Sequence, residues 1–268
     1  MSRGVERPDN QGGLEVQLRY WKQKLRRPLA VLQLPRSRRQ SSVEQDSRSE
    51  TRSFELPSPL SEAIRALVER EGLTLRFTLL AAFKIMLHYY TGQHDLLVRM
   101  PVLGRNLVGL EGSGEFFLNS VVVRTDLSGN PKFREVLRQV HDVTLEAYSY
   151  KDFPYEELVR QLQVDEDLPN NSLSQAMFVF KNAPKQFLGI GGLMGLTLTQ
   201  ADVDRWMSRC ILTLYTEDTG RTLSGTLEYD AALVDAATAN SMADQYPVLL
   251  ESITVDPERH ISDLSLPL

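Results

Sequence analysis

Residues 115–127 read EFFLNSVVVRTDL, and this stretch indicates most directly what kind of fold the chain adopts. β-Branched and aromatic side chains dominate it, as is typical of strands. The turn sequence SGNP follows, and after it apolar residues recur at helical spacing: Phe133, Val136, Leu137, Val140, Val143, Ala147 and Tyr148. A strand that turns directly into a long amphipathic helix predicts a fold that combines a sheet with helices.

The same mixture extends in both directions along the chain. Upstream, the patterns predict a helix over 14–25, a short strand over 54–56, two helices that end at Gly72 and Gly92, and a strand over 95–105. Downstream, they predict a strand over 176–184, an antiparallel series with a turn at Thr219–Gly220, and a last helix from Asp235 to about Val255. Strands and helices do not strictly alternate. We therefore predict an α+β fold, a two-layer sandwich with helices covering one face of a mixed, mostly antiparallel sheet.

Composition excludes several classes of protein. The chain has 268 residues, of which 42% are hydrophobic and 24% are charged, as in globular proteins. Its net charge of −5 argues against nucleic acid as a partner. The single cysteine, Cys210, excludes an internal disulfide framework and a cysteine-based zinc site. No apolar run approaches the roughly 20 residues that span a membrane, and the first residues do not resemble a signal peptide, so we expect a cytoplasmic protein.

Two segments have a composition that differs from the rest. Residues 1–13 are expected to form a disordered lead-in to a single domain over 14–268. Residues 34–53 are rich in Ser, Arg and Glu and are expected to form an exposed linker inside that domain. The arginines at 36, 38 and 39 could contact an anionic partner, but a solvated linker is the favoured explanation.

Common catalytic and metal-binding patterns are absent from the sequence. The histidines His88, His94, His141 and His260 are not adjacent in sequence and lack metal-ligand spacing. The glycine-rich stretch GIGGLMG over 189–195 precedes a predicted strand rather than a helix, which argues against a dinucleotide site. Cys210 is expected to pack rather than to act as a nucleophile. We therefore predict no catalytic residue and no metal site within the chain.

Three other stretches each have an ordinary structural interpretation. The sequence GSGEFFLNSVVVR over 112–124 fits a core strand with a glycine-rich entry. The sequence YKDFPYEEL over 150–158 fits a corner between two helices, with Asp152 as cap and Pro154 in the first turn of the second helix. The sequence DEDLPNNSLSQAMFVF over 165–180 fits a polar loop that leads into a strand.

Taken in order, these stretches resemble the C-terminal lobe of a nonribosomal peptide synthetase condensation domain, which belongs to the chloramphenicol-acetyltransferase-like superfamily. Residues 114–120 and Arg124 resemble the family's GxFVNT strand and following Arg. Residues 150–156 resemble its (H/N)QDxPFE motif, and residues 166–174 its RDxSRNPLF motif. The sequence LLVRMPVLGRN over 96–106 resembles its VVGTPVAGR strand and loop. The resemblance covers the chain from residue 17 to residue 268.

The resemblance implies roles for particular residues. Substrate-tunnel or motif positions would be Gly104, Arg105, Phe116, Asn119, Ser120, Arg124, Asn171 and Ser172. Structural-motif positions would be Asp152, Pro154, Tyr155 and Glu156. A floor loop would lie near 104–114 and a latch that reaches the other lobe near 186–198. Lys151 replaces the family's usual Gln, and Pro169 and Ser172 depart from the third motif.

The resemblance also implies what the chain lacks. The family's catalytic HHxxxDG motif lies on an N-terminal lobe, and no adjacent pair of histidines occurs in this sequence. In the family, the second His orients or deprotonates the attacking amine, and a general base typically contributes roughly 10²–10⁴ in rate.

Three interpretations remain open. In the first, the chain is a lobe that forms peptide bonds only with an N-terminal lobe. In the second, it is a freestanding non-catalytic module that binds a carrier protein, a thioester or a tailoring enzyme. In the third, it is an acyltransferase that builds its site in a homodimer.

The partners implied are a peptidyl carrier protein and either an N-terminal lobe or a second copy of the chain. The lobe or second copy would associate through an exposed apolar wall. No cofactor is expected to bind directly, because phosphopantetheine would arrive on the carrier protein. Neither nucleic acid nor a membrane is expected as a partner.

Overall fold

Six strands form one mixed sheet in the order β1-β6-β5-β4-β2-β3. The computed structural model describes residues 10–26, 29, 31–35, 49–105, 116–162, 173, 175–181 and 210–264. The strands are β1 (Ser49–Glu55), β2 (Asp95–Arg105), β3 (Phe116–Asp126), β4 (Ala176–Lys181), β5 (Leu212–Asp218) and β6 (Leu223–Asp230). β4 is parallel to β2 and β5, and the other three pairings are antiparallel. The predicted mixed, mostly antiparallel sheet is confirmed.

The described residues also form six α-helices and a final 3-10 turn, Ile261–Asp263. The helices are α1 (Asn10–Lys24), α2 (Ser58–Glu71), α3 (Leu75–Thr91), α4 (Phe133–Ser149), α5 (Tyr155–Gln161) and α6 (Ala236–Val255). α2 and α3 end at Gly72 and Gly92, as expected, and both glycines are left-handed, with φ of 65° and 67°. The side chain of Asp235 caps α6 by accepting a hydrogen bond from the Thr238 amide.

The core lies between the sheet and the helices packed on it. α3 contacts β2 and β4, α4 contacts β3, and α6 contacts β1 and β6. The register places Phe178, Leu214 and Leu227 side by side on β4, β5 and β6, and all three side chains are fully buried. Phe83 of α3 packs against Phe178 with ring centroids 6.2 Å apart. These contacts, with the alternating burial of β6, agree with the predicted two-layer sandwich.

One charged residue lies inside this core. Lys84 of α3 is completely buried, and its Nζ donates to the backbone carbonyls of Leu96 at 3.2 Å and Val123 at 2.8 Å. The amine therefore joins α3 to both strands of the β2–β3 pair. Burial lowers the pKa of Lys84 from 10.5 to about 7, although the carboxylate of Asp95 acts in the opposite direction.

The expected boundaries are wrong in the first part of the chain. β1 begins at Ser49, so the last five residues of the predicted 34–53 linker belong to the sheet, where they pair with β6. Leu34, also in the predicted linker, is buried, whereas 36–48 lie outside the described residues. α1 begins at Asn10, so residues 10–13 are helical rather than part of a disordered lead-in. Backbone pairing at a sheet edge does not require apolar side chains, which explains why composition suggested a linker.

A helix that crosses a membrane needs about 20 predominantly apolar residues. Among the residues that the structure describes, no helix combines the length and the apolar character needed to cross a bilayer.

Candidate functional site

The side chain of Asn119 connects the two clearest sequence motifs. Asn119 lies on β3 and is almost completely buried. Its Nδ2 donates to the carbonyls of Lys151 at 2.6 Å and Phe153 at 2.8 Å, and its Oδ1 accepts from the amide of Tyr155 at 2.9 Å. The residues 150–155, here called the corner, join α4 to α5. One amide thus satisfies three backbone groups of the corner and fixes it against the edge strand of the sheet.

α1 holds the corner from another side. The indole of Trp21 donates to the carbonyl of Tyr150 at 3.0 Å, and Oε1 of Gln17 accepts from the Phe153 amide at 2.9 Å. The rings of Tyr20 and Tyr150 stack with centroids 3.8 Å apart. The periodicity of α1 predicts a helix but gives no indication of these contacts, because each bridges more than 120 residues of sequence.

The predicted structural motif differs in detail from the expectation. Pro154 is itself the N-cap residue of α5, without a side-chain cap hydrogen bond, so Asp152 does not occupy the cap position and Pro154 is not within the first turn. Phe153 and Tyr155 are buried, as expected for residues that anchor a corner. Glu156 is exposed in the first turn of α5, where a negative charge is favourable.

Arg99 brings together two of the predicted site residues. Its Nε donates to Oγ of Ser120 at 2.7 Å, and its guanidinium lies 4.5 Å from the centroid of the Tyr155 ring. Arg99 is 2% exposed, so this cation is held in a low-dielectric environment. Sequence reasoning missed Arg99, although a signal existed. In the resemblance of this strand to VVGTPVAGR, Arg99 stands where the family pattern has a glycine.

The guanidinium of Arg124 is hydrogen-bonded to other groups of the same chain. It makes two hydrogen bonds to the Asp95 carboxylate, at 2.8 and 2.6 Å, and two more to the carbonyls of Lys24 and Arg26, each at 3.1 Å. The hydrogen bond with Asp95 raises the pKa of Arg124 further. This bidentate pair connects the β2–β3 pair to the end of α1.

Three further predicted positions share one end of the β2–β3 pair. Arg105 lies opposite Phe116, and Gly104 lies opposite Phe117. This is the end from which the expected floor loop departs, and 106–114 lie outside the described residues. Asn171, Ser172, the expected latch over 186–198 and the glycine-rich stretch 189–195 also lie outside them.

The histidines occupy positions without catalytic geometry. Nδ1 of His88 lies 2.8 Å from the carbonyl of Gln93, and Nδ1 of His260 lies 2.6 Å from the carbonyl of Asn130. His141 contacts Asp142 at 2.8 Å on the surface of α4. The rings of His88 and His94 lie 4.9 Å apart, so the fold brings together two histidines that are separate in the sequence. Among the described residues, no three metal-ligating side chains are grouped.

Cys210 has the environment of an unreactive thiol. It lies two residues before the start of β5, is half-buried, and is a free cysteine. Burial raises the pKa of its thiol to about 11, so the nucleophilic thiolate is scarce at neutral pH. The described residues around Asn119 and Arg99 thus form a buried, hydrogen-bonded polar cluster.

Comparison with known proteins places this architecture in a family. The family model described as Condensation domain matches residues 6–268. One of the linear gramicidin synthase proteins of Brevibacillus parabrevis is 36% identical over 253 residues, covering 94% of this chain and 5% of that protein. Chondramide synthase from Chondromyces crocatus is 35% identical over 253 residues, covering 94% of this chain and 6% of that protein. The chain thus spans a small fraction of these relatives.

Solved structures agree on the fold. The complex of the X-domain and OxyB from teicoplanin biosynthesis superposes with a TM-score of 0.74 at 24% identity, over 96% of this chain and 56% of that chain. The condensation domain of the monacolin K polyketide synthase MokA gives a TM-score of 0.74 at 18% identity, over 94% of this chain and 59% of that chain. The fold is therefore chloramphenicol-acetyltransferase-like, and the chain belongs to the condensation-domain family of nonribosomal peptide synthetases.

Proposed function

We propose that the chain is the C-terminal lobe of a condensation domain and forms one wall of the tunnel that receives carrier-protein-bound thioesters. The main support is its coverage of solved structures of this fold, which is 56% and 59% of two such chains. The chain carries strand and corner motifs that resemble those of the C-terminal lobe, and it contains no HHxxxDG motif. In this proposal, a partner lobe supplies the catalytic histidine.

The proposed division of labour follows from the chemistry of amide formation. The acceptor amine attacks the thioester carbonyl of the donor, the carbon–sulfur bond breaks, and the carrier thiol leaves. The amine must lose a proton, which requires a positioned base. Among the described residues, Asn119 and Arg99 are buried and hydrogen-bonded, so they are suited to hold a wall in place rather than to accept that proton.

The proposed partners follow from the same division. Donor and acceptor would arrive on phosphopantetheine arms of carrier proteins, so this lobe would bind no cofactor of its own. The N-terminal lobe would cover the apolar wall that the resemblance implies. In an isolated chain, a second copy would be the alternative occupant of that surface.

A second candidate is a freestanding binding module without catalysis. One observation favours it: the X-domain, which matches the fold, has been solved as a complex with OxyB, so a fold of this kind is known in a complex with another protein. In this version, the chain would bind a carrier protein or a tailoring enzyme and would have no need of a histidine motif.

A reconstitution experiment separates these candidates. The purified 268-residue chain is mixed with aminoacyl- and peptidyl-loaded carrier proteins, alone or with a separately expressed N-terminal lobe that carries HHxxxDG. Peptide product is measured by mass spectrometry, and binding of the carrier proteins by calorimetry. The matched control is the same N-terminal lobe with its second motif histidine replaced by alanine.

Each outcome decides between the candidates. Product only with the intact N-terminal lobe supports the proposed lobe function. Binding of a carrier protein without product in any mixture supports the binding module and overturns the lobe function. Product from the isolated chain overturns both and supports a homodimeric acyltransferase.

A further inference from the structure

A cleft lies on the helix-covered side of the sheet, apart from Asn119, Arg99 and the corner. It has a volume of ≈ 430 Å³ and lies where the end of α2, the start of α3 and the end of β4 meet. The described residues that line it are Val68, Thr74, Leu75, Arg76, Phe77 and Phe180. Clefts of about 300–1,000 Å³ are the size that small ligands occupy in proteins.

Arg76 gives this cleft a positive charge. Its guanidinium lies 5.8 Å from the centroid of the Phe180 ring, and Nη1 donates to the hydroxyl of Tyr148 at 3.0 Å. These two aromatic neighbours fix the position of the side chain without neutralising it. A guanidinium that is already oriented loses less conformational entropy when it binds a ligand.

Among the half-buried arginines that the structure describes, Arg76 differs from the other three in its partners. Arg65, Arg124 and Arg134 are similarly half-buried, and each contacts a carboxylate at 2.6–2.8 Å. Arg76 forms no ion pair with any residue that the structure describes. A carboxylate from outside the chain would give Arg76 the partner that the other three already have.

The remaining walls determine what such a carboxylate is attached to. Val68, Leu75, Phe77 and Phe180 are apolar, and Thr74 makes no cap hydrogen bond at the start of α3. The amides of the first turn of α3 therefore add to the positive potential, and the apolar side chains favour a hydrocarbon body.

We propose that this cleft binds an amphiphilic carboxylate, with its anionic group on Arg76 and a short hydrocarbon chain against Leu75 and Phe180. Octanoate is the probe that matches this chemistry. The planar carboxylate fits the guanidinium fork in two parallel hydrogen bonds, which an alcohol of the same chain length cannot form. This site is separate from the contacts of Asn119 with the corner, since neither Asn119 nor a corner residue is among the described residues that line it.

Calorimetric titration of the full chain tests the proposal. Octanoate is expected to bind at least about tenfold more tightly than octan-1-ol, because only the carboxylate pairs with Arg76. Hexanoate is expected to bind more weakly than octanoate, by about fourfold for each methylene removed. Arg76→Gln should reduce octanoate affinity to that of octan-1-ol, and Arg76→Lys should reduce it less, because it keeps the charge and loses the fork.

Arg70→Gln is the matched control. Arg70 is an exposed arginine in the last turn of α2 that does not line the cleft, so its loss removes one positive charge nearby and should leave octanoate affinity unchanged. Circular dichroism of each variant checks that the fold is intact. The proposal is overturned by equal binding of octanoate and octan-1-ol, by full octanoate affinity in Arg76→Gln, or by the absence of saturable octanoate binding to the wild-type chain.

Discussion

Asn119 shows how one buried side chain can join two segments that are more than 30 residues apart. A buried amide is tolerated only when its polar atoms are satisfied, and here the carbonyls and amide of the corner satisfy it. The reverse also holds, because the carbonyls of Lys151 and Phe153 and the amide of Tyr155 all bond to this side chain. The side chain and the corner therefore depend on each other.

Replacing Asn119 by alanine should expose this dependence. Two carbonyls and one amide would remain buried without partners, so Asn119→Ala should lower the free energy of unfolding by about 3 kcal/mol. Urea denaturation followed by circular dichroism measures this change. Asn240→Ala is the control, because Asn240 is exposed on α6 and its loss should change stability by less than about 0.5 kcal/mol. Equal effects of the two substitutions would contradict the role assigned to Asn119.

Lys84 makes stability depend on pH in a defined range. Its folded-state pKa is lowered to about 7 by burial, whereas the unfolded chain keeps its ordinary value of 10.5. Between these values the unfolded state binds more protons than the folded state, so the free energy of unfolding rises with pH. The contribution of Lys84 is lowest below pH 7, where both states are protonated. The limiting slope is about 1.4 kcal/mol per pH unit.

Comparison with Lys84→Met isolates this effect. Methionine keeps the length of the side chain without an ionisable group, so the stability difference between wild type and variant should change with that slope between pH 7.5 and 9.5 (roughly the interior of the titration range). Cys210 and the buried tyrosines are present in both proteins, so their titration cancels in the difference. A difference that does not change with pH would show that Lys84 titrates at its ordinary pKa when folded.

Some of the residues around the corner could be predicted from the sequence, and others could not. Asn119 and Ser120 were selected because they stand in a recognisable motif, and the structure places both among buried hydrogen bonds. Gln17 and Trp21 were missed as partners of the corner, because the contact depends on how α1 packs and not on local pattern. The sequence shows that Arg99 differs from the family pattern. Its contact with Tyr155 could not be predicted, because it depends on how the folded chain brings the two residues together.

At the scale of elements, β1 is stabilised by its backbone more than by its side chains. Six of its seven residues are exposed, and Phe54 is the half-buried exception. Phe54 lies opposite Gly225 of β6, and its ring would collide with a Cβ at that position. The Phe54 ring also packs near the ring of Tyr246 on α6, with ring centroids 5.6 Å apart. Glycine at 225 therefore creates the space through which β1 reaches the core.

Gly225→Ala should weaken the β1–β6 pair. The added methyl group displaces the Phe54 ring, which should cost about 1–3 kcal/mol of unfolding free energy in chemical denaturation. Phe54→Leu should remove most of the additional cost of Gly225→Ala, since a smaller side chain no longer occupies the same space. The double-mutant cycle measures this coupling. Purely additive effects of the two substitutions would contradict the packing of Phe54 on Gly225.

The elements that the sequence predicted well share a physical property. α2, α3 and α4 bury long apolar faces and end at glycines or turns, so periodicity and local punctuation determine their bounds. The predicted strand over 54–56 covers only the end of β1, because the polar residues 49–53 leave no apolar pattern. β1 is ordered by its pairing with β6, which a local pattern does not contain. The helical residues 10–13 were likewise not predicted.

At the scale of the whole molecule, one core connects the sheet, the helices on it, and α1. Trp21 of α1 and Leu25, which directly follows α1, belong to the same buried cluster as the residues of β4, β5 and β6. Several neighbouring strands of the sheet are distant in sequence. For example, β1 pairs with β6, the last strand described along the chain. Removing one element therefore disturbs contacts that depend on the others, and this favours cooperative unfolding.

The fluorescence of Trp21 provides a test of that cooperativity. The chain contains two tryptophans, so Trp206→Phe leaves Trp21 as the single reporter of the contact between α1 and the corner. Because Trp21 is 1% exposed, its emission should shift to longer wavelength when α1 separates from the core. We expect this shift to coincide with the loss of circular dichroism in urea, as in a two-state transition. A fluorescence transition at a lower urea concentration would show that α1 detaches first and that the corner is held chiefly by Asn119.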